Sequence, residues 1–317
     1  MKFGTVNALL IICVSLIAVI ISLYSFSLIS NNILEEAVFN HLETVAQSKA
    51  SHITTYLEKE IDTIEASAKN WFLEEELAKG IGGENLLIIQ KELEDLFDVS
   101  PDYIELFLLN KEGLVVASTN AKFVGLDESN KKYFTEPKKN MKGYIADVYE
   151  AEEEEGGAYL VSSSVIRHDS IDFTGVLIAR IKLDSLEKIT TDRTGLGETG
   201  EIYLINNGYF MITPSKFLKD TFLKQKIDTE NSRECFENKN VHDVKIYTDY
   251  RGISVLGTHI YIPEKDWCLL VEINEEEALG MQRNRLMKNA LIVILTLALI
   301  LVIIGFIIRP LLEKRSK

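Results

Sequence analysis

Several groups of residues have types and spacings that chemistry uses. Gly195-x-Gly197-x-x-Gly200 matches the dinucleotide fingerprint as a string. That fingerprint works only where a strand precedes the glycines and a helix follows, because the helix N-terminus must face the pyrophosphate. Here the pattern predicts a helix before and a strand after, so the motif reads as a hinge. Glu152-Glu153-Glu154-Glu155 followed by Gly156-Gly157 has the acidity of a calcium loop. Such loops alternate their ligands around a glycine turn, and a contiguous run predicts a solvated hairpin tip instead. His41, His52, His168, His242 and His259 lack metal-ligand spacing, and no Gly-x-Ser-x-Gly, P-loop or kinase signature occurs. The expectation is a non-enzyme without catalytic residues, metal or cofactor.

Charge narrows the partners. The 317 residues carry a formal net charge of −14, which excludes a nucleic-acid partner that would need a basic patch against phosphates. The mean hydropathy is nevertheless slightly positive, +0.05, because apolar residues concentrate at the two ends. Residues 3–34 and 289–308 contain no charged side chain. The run 6–29 exceeds the apolar stretch of a cleaved signal peptide and matches the hydrocarbon core of a bilayer, as does 289–308. Residues 1–30 carry +1 and 289–317 carry +3, leaving −18 for the segment between them. Short basic tails stay in the cytoplasm, whereas long domains translocate largely regardless of charge. The expected topology is a two-pass protein of the cell membrane, both termini cytoplasmic and the central domain extracytoplasmic. Cys235 and Cys268 both fall outside, where an oxidising compartment permits a disulfide; spacing alone leaves open whether they pair.

The elements between the spans must position any binding residues. Residues 31–79 contain neither glycine nor proline, and apolar residues recur three or four apart from Leu34 through Val38, Leu42, Val45, Ile53, Leu57, Ile61, Ile64 and Ala68 to Trp71. This predicts one long amphipathic helix leaving the membrane, packed on its own domain, serving as a dimer seam, or both. After a short helix over 85–97, Tyr103–Leu109 and Leu114–Ser118 flank a turn at Asn110-Lys111-Glu112-Gly113. Strands follow at 143–150, 158–167 and 173–183, then a helix from Asp184. The pattern repeats: a hairpin at 201–213 around Asn206-Asn207-Gly208, strands at 244–249, 254–262 and 267–273, then an acidic helix over 274–288. Asn206 stands 96 residues after Asn110, and Glu272-Ile273 echoes Arg180-Ile181. The predicted fold class is α+β: a long N-terminal helix, then two tandem PAS-like antiparallel-sheet modules, flanked by two transmembrane helices. The expected divisions are 1–5 tail, 6–29 span, 30–80 long helix, 81–190 membrane-distal module, 191–288 membrane-proximal module, 289–308 span and 309–317 tail.

Particular stretches carry a family likeness: Asp127-Glu128-Ser129-Asn130-Lys131-Lys132-Tyr133-Phe134, Gly143-Tyr144-Ile145-Ala146-Asp147-Val148-Tyr149, Gly175 to Ile181, Thr194 to Glu201, and Trp267 to Glu272. In order and spacing, over roughly residues 31–310, they resemble the double Cache sensor domain of bacterial and archaeal chemoreceptors and sensor kinases. The resemblance implies a small-molecule sensor for chemotaxis or two-component signalling, a homodimer, and a ligand site in the first module. In amino-acid-sensing members an Arg-x-Trp/Tyr-Tyr stretch grips the ligand carboxylate and an Asp on the last strand holds its ammonium group. This chain places Lys131, Tyr133 and Phe134 at the first set and Arg180 at the position of the Asp. Lysine keeps the charge without the bidentate fork, while Asp-to-Arg inverts the charge. The expected ligand set is Lys131, Tyr133, Phe134, Tyr144, Asp147, Tyr149, Ser162, Ser164 and Arg180, suited to an organic anion. The alternative is that Arg180 pairs with Asp147 or surface carboxylates and occludes the pocket. The resemblance also makes Arg309-Pro310-Leu311 the start of a HAMP linker. With nine residues after the span, the expectation is a truncated receptor or one using a cytoplasmic or membrane signalling partner, the competing reading being a membrane-anchored binding or scaffolding protein without transmembrane signalling.

Overall fold

The computed structural model describes residues 2–298 and 302, apart from 80, 81, 83, 147, 151–157, 169–171, 240–242 and 281–286. Asp147, the acidic tip 152–155, His242 and the tail with Arg309-Pro310-Leu311 lie outside the described residues, as do most side chains before residue 35. Among the described residues no helix is long and apolar enough to cross a membrane. Within the expected spans, most side chains of 6–29 and residues 299–301 and 303–308 lie outside that description.

Helix α1 runs from Lys2 to Ala68. Its inward stripe is Leu42, Ala46, Ile53, Leu57, Ile64 and Ala68, all nearly inaccessible, at the helical period. The opposite face, with Thr44, Gln47, Ser51, Thr55 and Asp62, is exposed and polar. The helix ends earlier than its apolar spacing suggested. Asn70 adopts an extended conformation and its side chain accepts a hydrogen bond from the Phe72 amide, starting the separate helix α2, Trp71–Ala78. Trp71, expected on the buried stripe, is therefore exposed. Helix α3, Glu84–Phe97, follows.

The first sheet has the order β2-β1-β6-β5-β3, with β4 also pairing β5. Its strands are β1 (Tyr103–Asn110), β2 (Val115–Ser118), β3 (Tyr144–Ile145), β4 (Tyr149–Glu150), β5 (Ala158–His168) and β6 (Asp172–Lys182). The single strand expected over 143–150 is thus two short ones. Helix α4 (Lys132–Asn140) covers one sheet face and α5 (Asp184–Thr191) leads out of the module. The second sheet, β7-β10-β9-β8, repeats the arrangement with β7 (Glu201–Ile205), β8 (Lys245–Thr248), β9 (Ser254–Ile262) and β10 (Trp267–Asn274). Helix α6 (Glu230–Glu237), an element without a clear signal in the sequence, packs on its outer face. Cys235 of α6 is disulfide-bonded to Cys268 of β10, 33 residues on.

The two turns 96 residues apart use one device. Asn110 Oδ1 accepts from the amides of Glu112 and Leu114, and Asn206 Oδ1 from those of Gly208 and Phe210. Gly113 supplies the left-handed residue of the first turn, at φ +90°. Tyr209 takes that conformation in the second, and the returning strand shrinks to a bridge between Ile205 and Met211. The main core joins α1 to the inner faces of both sheets, while each outer face has its own smaller core. Of the acidic helix expected over 274–288, residues 275–280 are helical, with Glu276–Gly280 a wide turn, and 287–288 are helical again; 281–286 lie outside the described residues.

Candidate functional site

The outer face of the first sheet is built from alternate residues of its strands. Paired residues on antiparallel strands share a face, so Phe107 with Ile178 and Glu105 with Arg180 face α4 together. Tyr133 and Phe134 descend from the first turn of α4 and are buried. The Tyr133 ring packs edge-on against Phe107 and Tyr149, and Tyr149 stacks on Tyr159. The Tyr133 hydroxyl donates to Glu128 Oε2 at 2.5 Å. Burial, then this bond, holds the phenol far above its ordinary pKa, so Tyr133 remains a donor. The result is an aromatic recess with hydroxyls at its rim.

Arg180 lies in this recess but is not free. Its Nη1 donates to Glu105 Oε2 at 2.7 Å, and Ser118 Oγ donates to the other Glu105 oxygen at 2.7 Å. The guanidinium also packs over Phe123, Phe107 and Tyr159, at 4.2, 5.2 and 5.2 Å from the ring centroids. Its Nε is buried with no acceptor among the described residues. Of the partners expected for Arg180, Asp147 lies outside the described residues; among those described, the partner is Glu105, directly opposite on the neighbouring strand. A charged residue inside the apolar run Tyr103-Ile104-Glu105-Leu106-Phe107 was the available signal.

The other predicted residues divide. Lys131 precedes α4 with an exposed side chain, and its carbonyl accepts from the amides of Phe134 and Thr135. Tyr144 and Tyr149 are half-buried at the rim. Ser162 and Ser164 do not face the recess. They pair with Ala179 and Leu177, whose side chains belong to the α1-facing core, and Ser162 Oγ donates to the Glu60 carbonyl of α1. This is a correction dictated by strand alternation: only the middle serine of Ser162-Ser163-Ser164 points outward, and Ser163 Oγ donates to the Tyr144 carbonyl at 3.3 Å. Lys265, which sequence reasoning missed, reaches across from the β9–β10 turn. Its ammonium donates to the Ile145 carbonyl at 2.6 Å and lies 5.5 Å from the Tyr144 ring centroid. Among the described residues no group of three or more His, Cys, Asp or Glu could hold a metal ion. A surface groove of about 610 Å³ runs between α1 and the end of α3 and has no comparable convergence of aromatic and charged groups.

The glycine motif forms the joint between modules. It follows α5 and precedes β7, so it presents no helix N-terminus to a phosphate. Gly195 and Gly197 have φ of +88° and +68°, and a β-carbon on Gly197 would overlap the Glu277 carboxylate. That carboxylate accepts from the amides of Glu198 and Thr199, at 2.7 and 2.6 Å, and from the Thr199 hydroxyl. On the other side His41 Nε2 lies 2.9 Å from the Gly195 carbonyl oxygen, and Lys49 donates to Asp192 at 2.8 Å. Helix α1, the first module's last helix, the second module's first strand and the outgoing turn all meet here.

Known proteins share this architecture. The ligand-binding domain of the Pseudomonas aeruginosa PAO1 amino-acid chemoreceptor PctC, in complex with GABA, aligns with a TM-score of 0.55 at 18% identity, covering 74% of this chain and 99% of that one. The Campylobacter jejuni chemoreceptor Tlp3 domain with 4-methylisoleucine gives 0.58 at 15%, covering 77% and 94%. The sensor domain of the V. cholerae histidine kinase DctB gives 0.57 at 12%, covering 76% and 98%. No curated protein sequence matches. The family profile of the Cache domain matches residues 30–281. With that profile spanning most of the chain, and its structural neighbours being sensor domains of chemoreceptors and histidine kinases, the chain belongs to the double Cache family of ligand-binding sensor domains.

Proposed function

We propose that the chain is a membrane-anchored extracytoplasmic receptor in which the aromatic recess of the first module binds a small organic anion. The observation carrying the ligand class is Arg180: a largely buried guanidinium whose Nε has no acceptor among the described residues, with the exposed Lys131 at the start of α4 as the second cation of the proposed set. Glu105 neutralises the guanidinium when the recess is empty, so an incoming carboxylate competes with an internal one and selectivity comes from shape and from Nε. Asp147 belongs to this proposed set through its place in the sequence. The anchors are the uncharged runs 6–29 and 289–308, and their basic flanks favour cytoplasmic termini. Ligand-dependent displacement then passes through the joint at 192–200 and the outgoing turn to the second span, across a homodimer, and on to cytoplasmic output machinery.

Thermal unfolding of the full chain in nanodiscs, against small carboxylates, free amino acids and alkylamines, tests the reading. A carboxylate at 100-fold excess over its Kd is expected to raise Tm by roughly 5 °C or more, and Lys131→Gln to weaken that shift. Stabilisation by amines alone would overturn the ligand class. No stabilisation by any compound would favour an anchored binding or scaffolding protein without transmembrane signalling.

A further inference from the structure

The ion pair of the first module has a counterpart in the second, at the same place in the fold. Glu201 stands 96 residues after Glu105, the offset that also relates the two turn asparagines, and Glu272 occupies on β10 the place of Arg180 on β6. Glu201 and Glu272 are directly opposed across β7 and β10, as Glu105 and Arg180 are across β1 and β6. Where the first module sets opposite charges, the second sets two carboxylates, both fully buried.

The surroundings treat the two differently. Glu201 accepts from Ser215 Oγ and the Lys216 amide, each at 2.7 Å, and from the Tyr250 hydroxyl, so both of its oxygens are hydrogen-bonded. Glu272 accepts only through Oε1, from Tyr203 at 2.7 Å and Tyr247 at 2.5 Å, while Oε2 is buried with no partner among the described residues. Each neighbouring element faces it with its own groups. Strand β7 brings Glu201 and Tyr203; β8 and its turn bring Tyr247, Asp249 and Tyr250; β9 brings His259, whose Nδ1 lies 2.5 Å from Asn231 Oδ1 of α6. Arg251 is committed to Asp249 at 2.6 Å, and α6's acids Glu230 and Glu234 to Lys245 at the surface. No described cation contacts Glu272.

We propose that Glu272 is a proton-binding switch that gives this chain a second input, protons, in its membrane-proximal module. Protonated, Glu272 sits neutral beside ionised Glu201. Deprotonated, with its proton released to solvent, it puts two like charges across one strand pair in a dry site. Strand β10 ends two residues later, at Asn274, and runs into the latched turn Glu276–Gly280, so the stress falls where the chain leaves the module. Burial foremost, with Asp249 and Glu201 adding to it against the two tyrosine bonds, raises the Glu272 carboxyl to about 7. A carboxyl raised from 4.5 favours the closed fold when protonated, and that contribution is lost as pH rises through 7. This inference does not depend on what the first module binds.

Hydrogen exchange of the full chain in nanodiscs, followed on peptides covering 267–280 at pH 6 and pH 8 and corrected for intrinsic exchange, tests it. The expected result is about tenfold weaker protection at pH 8, abolished in Glu272→Gln. Glu201→Gln is expected to move the midpoint to lower pH, because the like charge that raises the Glu272 carboxyl is gone. Equal protection at both pH values in the unaltered chain, or a transition that persists in Glu272→Gln, would overturn the proposal. Should Glu272→Gln not fold, Tyr247→Phe removes one bond to the carboxylate and must raise the midpoint; an unmoved midpoint overturns it equally.

Discussion

The two modules frame the same pair of strand positions with opposite electrostatics. In the first, Glu105 and Arg180 satisfy one another and the aromatic rings close around the cation. In the second, Glu201 and Glu272 rely on tyrosine hydroxyls, and a disulfide ties the covering helix to the central strand. The topology fixes which residues oppose one another across the sheet; side-chain identity decides whether the pair locks or titrates. A duplicated scaffold therefore supplies two sites of different chemistry without any change in strand order.

The largest expected effect breaks the lock of the first module. Glu105→Leu leaves a guanidinium only 13% exposed without its carboxylate and should cost about 3 kcal/mol in denaturant unfolding. The double variant Glu105→Leu with Arg180→Leu should recover most of that loss, because the uncompensated charge is gone; a double variant as unstable as the single one would mean the recess depends on the cation itself. In the second module, replacing Cys235 and Cys268 by Ser opens a loop of 33 residues and should cost about 3–4 kcal/mol on the chain-entropy account. A loss confined to the peptides of α6 and β10 in hydrogen exchange would sharpen the contrast between the modules. Smallest is Gly197→Ala at the joint. The left-handed backbone and the overlap with Glu277 should together cost about 1–2 kcal/mol, read as a lower Tm with faster exchange at 198–199.

Much of this was legible in the sequence. The duplicated strands, the turns at Asn110 and Asn206, and the exclusion of a nucleotide site all follow from local patterns that the fold keeps. The breaks came where side chains override periodicity. Asn70 satisfies the Phe72 amide and starts a new helix although the apolar spacing continues to Trp71. Three consecutive serines carry no apolar alternation, so the strand's phase, and with it the inward direction of Ser162 and Ser164, could not be read from them. The Arg180–Glu105 pair spans 75 residues, a relation set by register that composition does not encode.

The bonds from Glu277 to the amides of Glu198 and Thr199 join points 79 and 78 residues apart. The second module therefore begins and ends at one spot. Mechanically it is a ring hung from a clasp, not a rod interposed between the first module and the outgoing chain. Lengthening its surface loops adds nothing to the path between what arrives at residue 198 and what departs at residue 277. Growth inside the ring is thus geometrically cheap, while the clasp itself tolerates little change.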